Sequence, residues 1–183
     1  LDEAILSYSR AIELKPDFVP AHFSLGVTNG KMGRLKDAEA SYLAVLALSP
    51  EYAEAQHNLG VIKFQQGKLE EARWRFETAI KLRNEYSEAH CSMGVTLKEM
   101  GKLEEAEFSF LQAIDSKSDY AEAYSNLGAT LEQQGRLEEA EVLLRKSIGF
   151  KPDYPEAHNN LGIVLLDMDR LIESEKSVRQ AII

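Results

Sequence analysis

A glycine that recurs every 34 residues constrains the fold of this 183-residue chain more than any other feature. The members of this column are Gly26, Gly60, Gly94, Gly128 and Gly162. A small residue follows each glycine after twelve positions, and a bulky apolar residue follows four positions later; for Gly60 these are Ala72 and Phe76. Self-similarity at this spacing is typical of repeat arrays. The sequence therefore predicts one structural unit used several times in succession.

Two helices joined by a tight turn are predicted in each unit. Apolar or small residues recur at helical spacing over residues 53–66 and again over residues 69–82. Between them lies Gly67, which supplies the backbone freedom that a tight turn needs. Gly67 belongs to a second column, which reads Gly33, Gly67, Gly101 and Gly135 and then changes to Asp169.

The small residues of the repeat are expected to set the distance between the two helices. Gly60 and Ala72 allow a close approach, and Phe76 fills the space that remains. A helix pair this short cannot bury its apolar face alone, so it must stack on the next pair. The predicted fold class is an all-α solenoid of stacked antiparallel helix pairs.

Aspartates that precede the first helices are expected to cap them. Asp119 and Asp153 are each followed three residues later by a glutamate, Glu122 or Glu156, which matches the capping-box pattern. The glutamates also suit the positive end of the helix dipole. Trp74, close to Phe76 in sequence, is expected to be a partly buried packing residue.

These columns resemble the tetratricopeptide repeat (TPR) family, and the resemblance covers the whole chain. It implies a right-handed superhelix and a single array over residues 1–183. The expected divisions are the second helix of a truncated repeat at 1–18, complete repeats at 19–52, 53–86, 87–120 and 121–154, and a nearly complete repeat at 155–183. The stretches 123–128 and 157–162 are also similar to the repeat arm of O-linked N-acetylglucosamine transferases and to many prokaryotic TPR proteins.

The resemblance implies that the first helix of each pair lines a concave groove that binds peptides. Asparagines recur there, and an asparagine side chain can pair with both groups of a peptide unit. Apolar and polar columns accompany them, such as Val27 with Val61 and Lys31 with Gln65. The candidate peptide-binding residues are Asn58, Asn126, Asn160, Asn159, Ser24, Ser92, Ser125 and His57.

Two other interpretations of this face stay open at the level of sequence. The asparagines could be polar residues on a solvated helix surface. The resemblance also includes a carboxylate-clamp mode that holds C-terminal tails with basic residues. That mode is disfavoured, because the column that should offer lysine reads Pro20, Glu54, Glu88, Glu122 and Glu156.

The charge of the chain limits its partners. A net charge of −9 and a pI near 5.0 disfavour nucleic acid and anionic membrane surfaces and favour neutral or basic proteins or peptides. No apolar run approaches membrane-spanning length, so membrane insertion is not expected. The single cysteine, Cys91, cannot form an internal disulfide. This fits a reducing compartment, and a cytoplasmic location is expected.

Chemistry is not expected, and neither is a cofactor or metal. His22, His90 and His158 share one column, but two repeats separate each from the next, which is too far for shared metal ligation. Cys91 follows His90 directly, so the two side chains point about 100° apart on a helix and cannot form a nucleophile pair.

A protein-interaction scaffold that binds an extended peptide or a partner helix is the predicted function. One alternative is the non-catalytic substrate-targeting arm of a larger enzyme, such as a glycosyltransferase. Another is a self-assembling structural array. The chain begins within a repeat, and we expect it to be a piece of a longer protein. Apolar residues at its start, including Leu1, Ile5, Tyr8 and Ile12, predict end-to-end self-association.

Overall fold

A computed structural model describes residues 1–182 and shows an all-helical protein. Within these residues there are eleven α-helices and no strand. The helices are α1 Asp2–Leu14, α2 Val19–Lys31, α3 Leu35–Leu48, α4 Ala53–Gln65, α5 Leu69–Leu82, α6 Ser87–Glu99, α7 Leu103–Ser116, α8 Ala121–Gln133, α9 Leu137–Phe150, α10 Pro155–Asp167 and α11 Leu171–Ile182. The predicted all-α solenoid class of packed helix pairs is confirmed.

The chain divides into two compact units, each with its own core. The first unit spans Leu1–Asn84 and contains α1 to α5, and the second begins at Glu85 and contains α6 to α11. Within each unit every first helix packs against the second helix that follows it, and α2, α4, α8 and α10 also pack against the second helix before them. The single array and its repeat boundaries stay a prediction.

The glycine column sets the distance between paired helices in both units, as predicted. A Cβ atom added at Gly60 in α4 would lie 2.7 Å from Cε1 of Phe76 in α5, which is too close for a real contact. In the second unit a Cβ at Gly94 would lie 2.6 Å from Cε1 of Phe110. Phe76 and Phe110 are among the largest fully buried side chains. The aromatic ring therefore occupies the space that the missing Cβ leaves.

The turns between paired helices keep one conformation throughout. Gly33, Gly67, Gly101 and Gly135 have φ between 70° and 77°. Asp169 takes their place in the last turn with φ 61°, and the Arg170 amide still donates to the Leu165 carbonyl at 2.8 Å. Aspartate is one of the residues that tolerate this left-handed region. The last turn therefore forms without its glycine.

The predicted capping boxes are wrong. The cap of α8 is Tyr120 and that of α10 is Tyr154, and neither helix has a side-chain cap hydrogen bond. Each helix begins one residue later than the capping-box register requires, which places Asp119 one residue outside the cap and Glu122 in the second helical position. Backbone bonds close the turn, including one from the Ala121 amide to the Asp119 carbonyl. The glutamates keep only their role at the positive end of the dipole.

Trp74 is an exposed residue, contrary to the predicted partial burial. Its side chain is 54% exposed on α5, and the Arg75 guanidinium lies 4.5 Å from its ring centre. The pattern of α5 places Phe76 inward, and a residue two positions earlier on a helix faces a different direction.

Candidate peptide-binding face

Three asparagines on first helices lie half-buried, and each is held by another side chain. Asn58 on α4 donates its amide hydrogen to the Tyr42 hydroxyl at 3.2 Å. Asn160 on α10 donates to Ser125 Oγ at 3.2 Å. The Asn126 amide on α8 lies 4.0 Å from Cys91 Sγ, a longer and weaker contact. The three side chains are therefore oriented by the protein itself.

The residue 35 positions earlier decides where each asparagine points. For Asn126 and Asn160 that residue is Cys91 or Ser125, and each offers an acceptor on the preceding first helix. For Asn58 it is Phe23, which has no acceptor and packs its ring against Tyr42 at 5.7 Å. Asn58 therefore turns to the hydroxyl of Tyr42. Sequence reasoning missed this hydroxyl, although a tyrosine in an otherwise phenylalanine or aliphatic column was a visible signal.

A shallow cavity in the first unit brings several predicted columns together. It measures about 190 Å³ and lies between α2, α3 and α4. Its lining includes Asn58, Val27 with Val61, and Lys31 with Gln65. This cavity therefore carries both apolar and polar groups of the first helices.

The remaining predicted site residues differ in accessibility. Ser24, Ser92 and His57 are half-buried, and Asn159 is exposed. Ser125 was expected on the peptide-binding face, but it is only 2% exposed and accepts the bond from Asn160, so the structure places it behind that asparagine. Its burial depends on the next helix pair, so the periodicity of its own helix gives no sign of it.

Comparisons with known proteins identify the repeats. Family models for the TPR repeat match residues 1–33, 62–101, 96–135 and 131–169, and a model for the tetratricopeptide repeat matches residues 19–52. The chain belongs to the TPR family. The comparison with curated proteins finds no match.

Solved TPR structures share this fold. "YrrB: a TPR protein with an unusual peptide-binding site" superposes with a TM-score of 0.73 at 20% identity, over 96% of this chain and 90% of that one. A "thermophilic TPR protein in Thermus thermophilus" gives 0.75 at 22% identity, over 90% of each chain. The Cut9–Hcn1 hetero-tetramer of the APC/C gives 0.89 at 16% identity, over 99% of this chain and 36% of that one. At these identities the likeness concerns the fold.

The column of this TPR chain that holds His22, Tyr124 and His158 has a structural role. His22 Nε2 lies 2.8 Å from the Pro16 carbonyl, and His158 Nε2 lies 2.9 Å from the Pro152 carbonyl. A carbonyl oxygen only accepts, so both histidines carry the proton on Nε2. The Tyr124 hydroxyl makes the matching bond to Ser118. These bonds tie α2, α8 and α10 to the segments that precede them. Among residues 1–182 no group of three or more His, Cys, Asp or Glu side chains is arranged to hold a metal ion.

Cys91 is a packing residue in an acidic setting. It is 2% exposed. Burial raises the pKa of its thiol to about 12, and the charge of Glu122 acts in the same direction. Since the thiolate is the nucleophile, the folded protein holds this sulfur in its unreactive form.

No helix within residues 1–182 combines the length and apolar character that crossing a bilayer requires.

Proposed function

We propose that this TPR chain is a non-catalytic protein-interaction scaffold that binds an extended peptide or a partner helix on its first-helix face. The observation that supports this is the set of half-buried asparagines, each oriented by at least one contact to another side chain. Stacked helical repeats present extended binding surfaces, and repeats of this family are generally scaffolds.

The contacts of the asparagines leave groups for a guest. An asparagine has two amide hydrogens and one acceptor oxygen. Asn160 and Asn126 each direct one hydrogen inward, and the oxygens of both take no part in a hydrogen bond among residues 1–182. One acceptor and one donor match the two polar groups of a peptide unit. Because the side chains are already oriented, binding loses less conformational entropy.

The partner is proposed to be neutral or basic. Glutamates stand in the first turns of α4, α6, α8 and α10, at the edge of this face. With a net charge of −9, the chain repels acidic ligands and attracts cations over a Debye length of about 8 Å at physiological salt.

A peptide array tests the proposal. Neutral extended peptides that bind the protein on the array are measured by fluorescence anisotropy against the wild type and Asn126→Ala/Asn160→Ala. We expect affinity to fall roughly thirtyfold, because two hydrogen-bonding groups are lost at about 1 kcal/mol each.

The control for this test lies on a second helix. Gln112→Ala/Ser116→Ala on α7 removes polar groups away from the face and should leave the affinity unchanged. Thermal unfolding of both variants separates lost binding from lost stability, since Asn160 also bonds Ser125. If the asparagine variant bound the peptide as tightly as the wild type, the asparagines would not be part of the binding site. The targeting-arm alternative stays a prediction.

A further inference from the structure

The second unit contains an open slot between two second helices, away from the asparagines. It lies between α7 and α9, and the helix beneath it, α8, packs against both. Its floor is formed by Leu127 and Leu131, and its walls by Leu111, Val142 and Leu143. Its volume of about 520 Å³ lies within the usual range for ligand sites.

The walls of this slot are exposed although they are apolar. Leu111 is 46% exposed and Val142 is 55% exposed, whereas the floor leucines are 2% exposed. Apolar side chains that converge over a buried floor mark an interaction site more strongly than scattered ones.

The corresponding place in the first unit is filled by charged side chains. Two repeats earlier, Lys63 occupies the position equivalent to Leu131, and Arg75 occupies the position equivalent to Leu143. Lys63 Nζ lies 2.7 Å from Glu39, and Arg75 donates to Gln56 at 2.9 Å. The apolar slot is thus a property of particular residues and is not common to every repeat.

The rim of the slot is acidic. Arg136 bridges Glu107 and Glu139, each at 2.8 Å. Glu138 also lines the slot, and it takes part in no ion pair among residues 1–182. The rim therefore carries three carboxylates and one guanidinium, which leaves an excess of negative charge. A second copy of this acidic chain would add to the negative charge, whereas a basic segment would neutralise it.

We propose that the slot between α7 and α9 binds a bulky apolar side chain presented by a basic peptide. The apolar anchor lies between Leu111 and Val142 over the floor leucines, and lysine or arginine residues that flank it in the peptide lie beside Glu138 and the bridged pair Glu107 and Glu139. This site is separate from the first-helix face and does not depend on the function proposed there.

The chain itself supplies the test variant. One repeat later the same positions hold Arg145 and Lys176, in a cavity of about 430 Å³ above Leu161 and Leu165. Arg145 pairs there with Glu141 and Glu173, the counterparts of Glu107 and Glu139. Leu111→Arg/Val142→Lys therefore introduces side chains that this fold already accommodates.

A short fluorescent peptide of leucines and lysines is the probe, titrated by anisotropy at physiological salt. We expect saturable binding by the wild type. A peptide of alanines and lysines with equal charge should bind about tenfold more weakly, because it lacks the anchor. The double variant should lose about tenfold in affinity for the leucine peptide. Leu111→Ser, which keeps the charge unchanged, should weaken binding in the same direction.

Two control variants and two measurements on the wild type define failure. Trp74→Ser removes an exposed apolar residue at the register of Val142, and a loss equal to that of the double variant would show general hydrophobic adhesion and overturn the proposal. Asn126→Ala/Asn160→Ala should bind the leucine peptide normally; a loss there would place that peptide on the other face. Absence of peptide binding by the wild type would also overturn the proposal. So would a wild-type dimer, detected by sedimentation, that Leu111→Ser abolishes, because a second copy would then occupy the slot.

Discussion

At the scale of single residues, two paired helices can approach closely only if a glycine lies opposite the buried aromatic ring that packs between them. In the first unit Gly60 leaves the volume that Phe76 fills. Gly149, by contrast, has no neighbouring atom within 4 Å of the position of an added Cβ. The same residue type therefore has opposite consequences at two helical positions.

Gly60→Ala should destabilise the protein by about 1–3 kcal/mol, because the added methyl displaces a buried ring. Gly149→Ala is the matched control and should stabilise it by about 0.5–1 kcal/mol, because alanine restricts the unfolded chain more than glycine. Urea unfolding followed by circular dichroism measures both. Equal midpoints for Gly60→Ala and the wild type would contradict the packing described here.

Cys91 should resist thiol reagents in the folded protein. Burial raises the pKa of its thiol to about 12, so the thiolate is scarce at neutral pH. Labelling with a maleimide, followed by mass spectrometry, should be slow in buffer and complete in denaturant. Fast labelling of the native chain would show that the sulfur is accessible.

Sequence reasoning succeeded for residues whose role depends on their own repeat and failed for those decided by a neighbouring one. The glycine and the aromatic residue of a pair belong to one repeat, so their spacing revealed the contact. The burial of Ser125 and the bond from Asn160 to it depend on how successive first helices pack. The caps failed for another reason: a one-residue shift of the helix start is invisible in a spacing pattern.

At the scale of helices, charged side chains join successive helix pairs within each unit. Lys63 on α4 contacts Glu39 on α3 at 2.7 Å and Glu71 on α5 at 3.2 Å. In the second unit Arg170 similarly reaches Glu141 on α9 at 2.6 Å. Lys63 is only 7% exposed, so screening by solvent is weak there.

Acid should weaken the first unit through Glu39. The hydrogen bond from Lys63 lowers the pKa of this carboxyl below its usual 4.5, with a further contribution from Gln66. A lowered folded-state pKa stabilises the protein above the unfolded value, and this stabilisation is lost as the pH falls through the folded value. Lys63→Met should therefore reduce the dependence of unfolding free energy on pH below 4.5.

Chemical unfolding at a series of acid pH values measures this dependence. The control is Lys36→Met. Lys36 is exposed on α3 and forms no ion pair among residues 1–182, so this variant should keep the wild-type dependence of unfolding free energy on pH. An unchanged slope in Lys63→Met would mean that the buried pair does not couple folding to protonation.

At the scale of the whole molecule, this TPR chain has a scaffold architecture with two candidate surfaces of different chemistry. The first-helix face carries oriented amides, and the slot of the second unit carries apolar walls under an acidic rim. The family was recognisable from the residue columns that recur every 34 positions. The slot was not recognised from the sequence. It exists because apolar residues in the second unit occupy positions that hold charged side chains in the first unit.

Self-association should be visible in solution if exposed apolar residues of α1 form a contact. Of the residues predicted to expose apolar surface, Leu1 is exposed, whereas Ile5, Tyr8 and Ile12 are half-buried. The exposed apolar residues on α1 itself are Leu6 at 71% and Leu14 at 72%. Sedimentation velocity over a range of concentrations should show reversible growth of the sedimentation coefficient, and Leu6→Ser/Leu14→Ser should reduce it. A monomer at every concentration would reject the predicted association.

The claim that the first-helix face holds a peptide is tested most directly by the side-chain amide resonances of the asparagines. A neutral peptide that binds on the array is titrated into ¹⁵N-labelled protein. We predict that the largest saturable shifts fall on the side-chain amides of Asn126 and Asn160 and on the backbone amides of α8 and α10. Shifts confined to α7 and α9, with both asparagine amides unmoved, would contradict the account.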